Sequence, residues 1–217
     1  MTSPETADSY PPTIRTVPSR KADRVHYDRE AVHAVLDAAF VCHVGFVIDG
    51  APVVLPNLYV RVGETVYLHG STGARALRSA PLPVCVTVTL VDGVVLARAA
   101  VHHSINYRSV VLHGLATPVL EEAEKRTALD AVVEAVAAGR SQGTRAPSSK
   151  ELASTAVLAV RLDEVSLKVR SGPPVDDAAD LLLDHWAGVV PLRVVAGEPM
   201  PHKGVQGPYP PDLHIRV

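Results

Sequence analysis

Residues 66–78, VYLHGSTGARALR, hold the side chains best suited to chemistry. Tyr67 and Leu68 alternate as a strand would, and the small residues Gly70, Ser71, Thr72 and Gly73 follow them. Such a run lets backbone N–H groups turn toward an anion, and Arg75 and Arg78, three apart, would share one helical face and supply cations. His69 ends the strand, where a ring nitrogen could meet a bound ligand. The plainer reading is a strand-to-helix turn with a capping Ser or Thr and a turn histidine, and the stretch alone does not separate the two.

Other chemistries find little support. No GxGxxG follows a strand, and there is no Walker loop and no GxSxG elbow, which removes dinucleotide-fold and hydrolase readings. Of ten histidines, His102 and His103 are adjacent and on a strand would point to opposite faces, and no HExxH or CxxC accompanies them, so no metal site is expected. His43 and His113 read as strand residues. Cys42 and Cys85 lie in apolar runs and read as small buried hydrophobes. Trp186, the single tryptophan, is either a core or interface anchor or a flat wall for a planar ring.

Composition narrows the partners. The chain has 217 residues, 47% of them hydrophobic, enough for a core without disulfides or metals. Lys plus Arg number 21 against 23 Asp plus Glu, so no global field favours nucleic acid or an anionic membrane, and 4% aromatic content argues against base-stacking platforms. Every apolar run is broken well short of about 20 residues, so no membrane span is expected. A reducing, cytoplasmic setting fits the two cysteines.

These residues must be positioned by β structure. Residues 1–24, rich in Pro, Ser and Thr, read as a mobile arm. Asp28 caps a helix with Val32, Val35, Leu36 and Ala39 on one face. Residues 40–48 and 51–55 form a hairpin across Asp49-Gly50, and Pro56 predicts an edge or a bulge before LYVRV. Gly63-Glu64 turns the chain into residues 66–78. Residues 84–90 begin a strand whose hairpin turn is Asp92-Gly93, and a polar block, residues 102–109, interrupts the next strand before residues 110–120. Residues 121–138 form the clearest helix, stopped by Gly139 and expected to cap one barrel opening. Residues 140–151 read as a loop, 155–162 and 165–169 as the last strands with Arg161 and Lys168 facing water, and 176–184 as a short acidic helix. Residues 193–217 lack periodicity and must wrap the barrel or a partner subunit.

The helix, the Asp-Gly hairpin with PNLY, YLHGSTGAR, SINYRSVVLHG, EEAEKRTALDAVVEA and WAGVVPL, in that order over residues 25–192, together resemble the pyridoxamine 5′-phosphate oxidase-like flavoproteins, in the branch of the nitroimidazole-resistance reductases. The resemblance implies a mainly β fold, a six-stranded antiparallel Greek-key split barrel with helices at its openings. It also implies a homodimer with FMN at the interface; deazaflavin or haem are the alternatives in related barrels. It places the phosphate on residues 69–75, with Arg75 as the cation and His69, Gly70, Ser71 and Thr72 around it. The flavin ring would lie against Asn57, Leu58 and Tyr59, with Asn106, Tyr107, Ser109 and Trp186 coming from the partner subunit. The implied activity is flavin-dependent reduction of a small electrophile such as a nitroaromatic, with His69 nearest the substrate; a flavin-binding module without turnover is the non-enzymatic alternative. The basic residues are spaced, as Arg75 and Arg78, and the tail is of this branch, so oxidation of pyridoxamine phosphate is not implied.

Overall fold

The computed structural model describes residues 8–74, 80–205, 207–210 and 213–215. Asp28 accepts a 2.7 Å hydrogen bond from the Ala31 N–H and starts α1 (Arg29–Asp37), whose Val32, Val35 and Leu36 are buried. A β-branched run then forms β2 (Val41–Ile48), and Asp49 and Gly50 take φ of 51° and 77°, the two positive values a type I′ turn requires, before β3 (Ala51–Val62). The chain continues through β4 (Thr65–Ser71), β5 (Leu82–Leu96), β6 (Ser104–Pro118), α2 (Glu122–Val136), α3 (Ser149–Ser154), β8 (Thr155–Arg161) and β9 (Glu164–Arg170). Short strands β1 (Val25–His26), β7 (Ala137–Ala138), β10 (Gly188–Pro191) and β11 (His214–Ile215) complete it.

Strands β2, β3, β4, β8, β6 and β5 pair in that order and close into a ring, every pairing antiparallel; β6 closes it by pairing with both β5 and β8. This is the expected six-stranded split barrel. Alternate residues point inward, so Val44, Tyr59, Val66, Leu68, Val86, Leu112, Val160 and Val165 meet α1 in one core. Burying each of these aliphatic side chains stabilises by roughly 1.5–3 kcal/mol, so packing outweighs any single polar contact. Tyr59 donates its hydroxyl to the Leu36 carbonyl at 2.5 Å, tying α1 into the interior. The other long helix, α2, packs instead on the outer face, where Val132 and Ala135 meet Val60, Leu58 and Tyr67. Among the described residues no helix is long and apolar enough to cross a membrane.

Several local expectations are corrected. Asp92-Gly93 is not a hairpin turn, because β5 runs through it and the β5–β6 register shifts there as a bulge. Arg108 grips the Asp92 carboxylate with two hydrogen bonds of 3.0 and 2.7 Å, and a Cβ on Gly93 would stand 2.9 Å from the Val190 carbonyl, so the glycine is needed for β10 to approach. Pro56 makes no bulge: β2 and β3 pair in unbroken register through His43 and Pro56. Only residues 102–103 of the polar block lie outside strand structure, since β6 starts at Ser104. The acidic helix shrinks to a 3-10 turn, Asp180–Leu182, and residues 140–151 are ordered by a capping box between Ser148 and Glu151.

The segment read as an arm is docked from Asp8 onward. Tyr10 is 1% exposed in the main core, its N–H bonds the Tyr27 carbonyl at 2.8 Å, and its hydroxyl donates to Glu64 at 2.9 Å. Arg29 lies 4.1 Å over the Tyr10 ring and pairs with the same Glu64. Tyr10→Ala should therefore lower the unfolding free energy in urea by about 3–5 kcal/mol, whereas Ile14→Ala, at a residue 97% exposed, should change it by less than about 0.5 kcal/mol.

Candidate functional site

The barrel is split at one seam. β3 pairs with β4 only from Tyr59↔Leu68 to Val62↔Thr65; below Tyr59, β3 stays on β2 while the end of β4 stays on β8. The seam leaves ladder groups without strand partners. Asn57 fills part of the gap by donating its side-chain Nδ2 to the His69 carbonyl at 3.2 Å. Pro56 suits the same edge. The Tyr59 N–H bonds the Phe40 carbonyl on the β2 side, so by alternation the missing N–H of Pro56 belongs to the open side.

A cavity of about 140 Å³ opens behind the seam, lined by apolar side chains such as Val44, Phe46, Leu55 and Leu158 and by Asn57, His69 and Gly70. A larger groove of about 410 Å³ lies between α2 and the 141–151 segment, and His69 lines it too. Two polar atoms here, Asn57 Oδ1 and His69 Nδ1, are buried without a hydrogen-bond partner. Unsatisfied buried groups of this kind are rare and call for an explanation, such as a water, an ion or a ligand from outside the chain. Burial lowers the His69 pKa, while a hydrogen bond to the Leu58 backbone pulls weakly the other way, so the ring is neutral at pH 7. Cys42, beside Asn57 in register, is pushed up to about 12 by burial and is no thiolate nucleophile.

The expected anion cradle is already closed on itself. The Thr72 N–H and hydroxyl both bond the Ser154 carbonyl at 3.0 and 3.2 Å, the Gly73 N–H bonds Ser71 Oγ at 3.1 Å, and the Ala74 N–H bonds the Ser71 carbonyl at 2.9 Å. These three N–H groups and the Thr72 hydroxyl are thus committed within the chain. Arg75 and Arg78, on which that expectation also rested, lie outside the described residues.

The remaining predicted residues divide. Asn57, His69 and Gly70 come together at the seam, and Leu58 packs under α2. Tyr59 is corrected: it is fully buried, with its hydroxyl spent on Leu36, and its side chain cannot face a ligand. Asn106 is committed to Arg170 Nη1 and the Gly172 carbonyl, and Ser109 to Thr89 at 2.8 Å. Tyr107 pairs with Arg170 in the ladder. Trp186 is 67% exposed, its ring lying over Gly188, so it is no core anchor in this chain. None of these four lines the seam cavity or the groove. The groove wall from Leu129, Val133, Gln142 and Arg145 escaped the sequence reading, because a helix face and a loop carry no motif that says they meet.

The fold and seam define a split-barrel protein. A sequence model of the family described as pyridoxamine 5′-phosphate oxidase matches residues 28–169, and the chain belongs to that family. Flavocytochrome Anf3 from Azotobacter vinelandii is 38% identical with a TM-score of 0.88, over 94% of this chain and 96% of that one. The FAD and haem binding protein from Mycobacterium smegmatis is 38% identical with a TM-score of 0.83, over 87% and 95%. A 5-nitroimidazole antibiotic resistance protein homologue from Bacteroides thetaiotaomicron, 24% identical with a TM-score of 0.55 over 67% and 86%, shares the fold. A search of curated proteins gave no match.

A histidine whose folded pKa lies below its unfolded value of about 6.5 binds protons more readily in the unfolded chain, so it weakens the fold as pH falls through and below that value. His69→Gln should flatten this part of the stability decline below about pH 6.5. Imidazole ¹⁵N shifts should show the ring neutral at pH 7; a protonated ring there would contradict the site's electrostatics.

Proposed function

We propose that this chain binds a flavin and a haem and serves as a redox protein that hands electrons to a small acceptor. The observation that carries this reading is His69 Nδ1, a buried imidazole nitrogen without a partner on the wall of an apolar cavity. With its Nδ1 unpartnered and its pKa lowered by burial, the imidazole is suited to ligate iron. The two relatives at 38% identity, named as a flavocytochrome and as FAD and haem binding, favour haem beside flavin, and FAD ahead of FMN as the first flavin to test.

The residues present fit such groups in part. The cavity and groove that share His69 bring the available space toward the few hundred Å³ of an ordinary ligand site, with apolar walls in the cavity and a mixed polar lining, including Asp130, Arg145 and Glu151, in the groove. At residues 69–74 a flavin phosphate has few free donors, so its retention there falls to Arg75. Bound flavin and haem supply the two- and one-electron chemistry, and the protein supplies position and exclusion of water. A nitroaromatic is one candidate for the small acceptor, although the likeness to the resistance protein homologue is one of fold alone.

A homodimer is part of the proposal. The outer face of β2 and β3 exposes Val41, Val47, Val54, Pro52 and Pro56, with Val47 and Val54 at 64% and 65%. An apolar sheet face of this kind is suited to pairing with a second copy. Asn106, Tyr107, Ser109 and Trp186, remote from the seam in one chain, would reach it only from such a partner.

Visible spectra of the purified protein, reconstituted with haem and with FAD or FMN, test the reading. A Soret band and flavin bands are expected, and His69→Ala should abolish the Soret band while flavin binding persists. Absence of saturable binding of either group sinks the proposal. Arg75→Ala should weaken flavin binding by about 2 kcal/mol or more, and Arg78→Ala by far less. Elution at twice the monomer mass is expected on size exclusion.

A further inference from the structure

A second cluster lies apart from the seam, where the β5–β6 connection meets the segment after β9. His102 ends a 3-10 turn, Ala100–His102, its N–H bonded to the Ala99 carbonyl at 3.1 Å. Asp177 and Asp180 are three apart on one turn, with the Asp180 N–H on the Asp177 carbonyl at 2.9 Å, which sets both carboxylates on one side. One ligand atom from each of His102, Asp177 and Asp180 falls within 4.8 Å of the other two. We propose that these three residues bind a divalent transition-metal ion of the zinc class, which fastens the 173–187 segment to the β5–β6 connection.

Three features carry this beyond a patch of surface charge. The first is the donor set: one imidazole and two carboxylates are borderline ligands that suit Zn²⁺ or a neighbouring first-row ion better than Mg²⁺ or Ca²⁺. The second is spacing. A tetrahedral ion about 2.0–2.1 Å from each donor holds its donors roughly 3.3–3.4 Å apart, and His102 Nε2 stands 3.4 Å from Asp177 Oδ2. That distance is long for a hydrogen bond and right for two ligands of one ion.

The third is pre-organisation. Arg98 and Asp176, in the same two segments, form a pair whose Asp176 side chain is 1% exposed, with the Arg98 N–H and Nη1 on its two oxygens at 2.9 and 3.0 Å. Arg98 reaches Asp176 through its backbone N–H and Nη1, its buried Nε having no partner, and among the described residues no Lys or Arg is paired with Asp177 or Asp180. Two like charges are thus held close by an anchor beside them, with a single histidine between them. A divalent cation resolves that repulsion. His103, the neighbour on the chain, bonds the Ala99 carbonyl instead and stays out of the cluster. The sequence argument against a metal site weighed only the adjacent histidine pair, whereas the proposed site needs one histidine and two carboxylates that the tertiary fold brings to it.

The test is Zn²⁺ titration of the tag-free, full-length protein by calorimetry, with metal content after dialysis as a second measure. One high-affinity equivalent per chain is expected, together with a Zn²⁺-dependent rise in Tm. His102→Gln and Asp180→Asn should each weaken that site at least tenfold and abolish the Tm rise, while His103→Gln leaves both unchanged. The two substitutions are independent, so a variant that fails to fold by circular dichroism leaves the other to decide. No saturable equivalent, or an equivalent with the same affinity in His102→Gln and Asp180→Asn as in the wild type, overturns the proposal.

Discussion

The structure turns on the place where the β3–β4 ladder stops. Up to Tyr59↔Leu68 the two strands exchange backbone hydrogen bonds, and beyond it each follows a different neighbour. A backbone that leaves its ladder must find other partners or remain costly. Asn57 answers by bonding the His69 carbonyl, Pro56 by having no N–H to lose, and a cavity opens where the side chains of the missing pairs would have met. The unpartnered Nδ1 of His69 is the residue of that accommodation.

Around the seam, the rest of the chain is held by polar anchors set into an aliphatic barrel. Glu64 gathers Tyr10, Arg29 and His33 and fixes the N-terminal segment over α1, and Asp37 holds Arg61 of β3 through Nε at 2.8 Å. Arg170, Asn106 and Gly172 form a small buried network at the far end of β6, and Arg98 with Asp176 secures the chain that leads to Trp186. Buried guanidinium groups are expensive unless satisfied, so each of these pairs also specifies where a segment without strong periodicity must lie. They explain how Pro- and Gly-rich stretches follow defined paths across a Val-rich core.

The two ends of the molecule therefore differ in chemical character. The seam end combines an apolar cavity with a neutral imidazole and an uncapped amide oxygen. The other end presents carboxylates, an imidazole and an exposed indole on a pinned segment. Neither arrangement depends on a residue from the other, which leaves the two free to bind separately.

Much of the barrel was legible in the chain. Asp28 announces α1, Asp49-Gly50 announces a type I′ hairpin, and alternation in VCHVGFVI and TAVLAVRL gives the inward faces, because caps, turns and pleat are local and act over a few residues. Asp92-Gly93 misled for the same reason: the dipeptide allows a turn, but continuous pairing of β5 with β6 and the grip of Arg108 made it a bulge. His69 could be singled out as a strand-end histidine, yet whether it was a turn residue or a buried, unpartnered ring depended on where β3 and β4 part. The commitment of the Thr72, Gly73 and Ala74 N–H groups, the wall supplied by α2 and the 141–151 segment, and the meeting of His102 with Asp177 and Asp180 join residues up to 82 positions apart. Sequence by itself determined the strands and their facing, since those follow from local sterics and hydrophobic period; only the tertiary structure decided which polar atoms were left unsatisfied, since that is settled by long-range pairing.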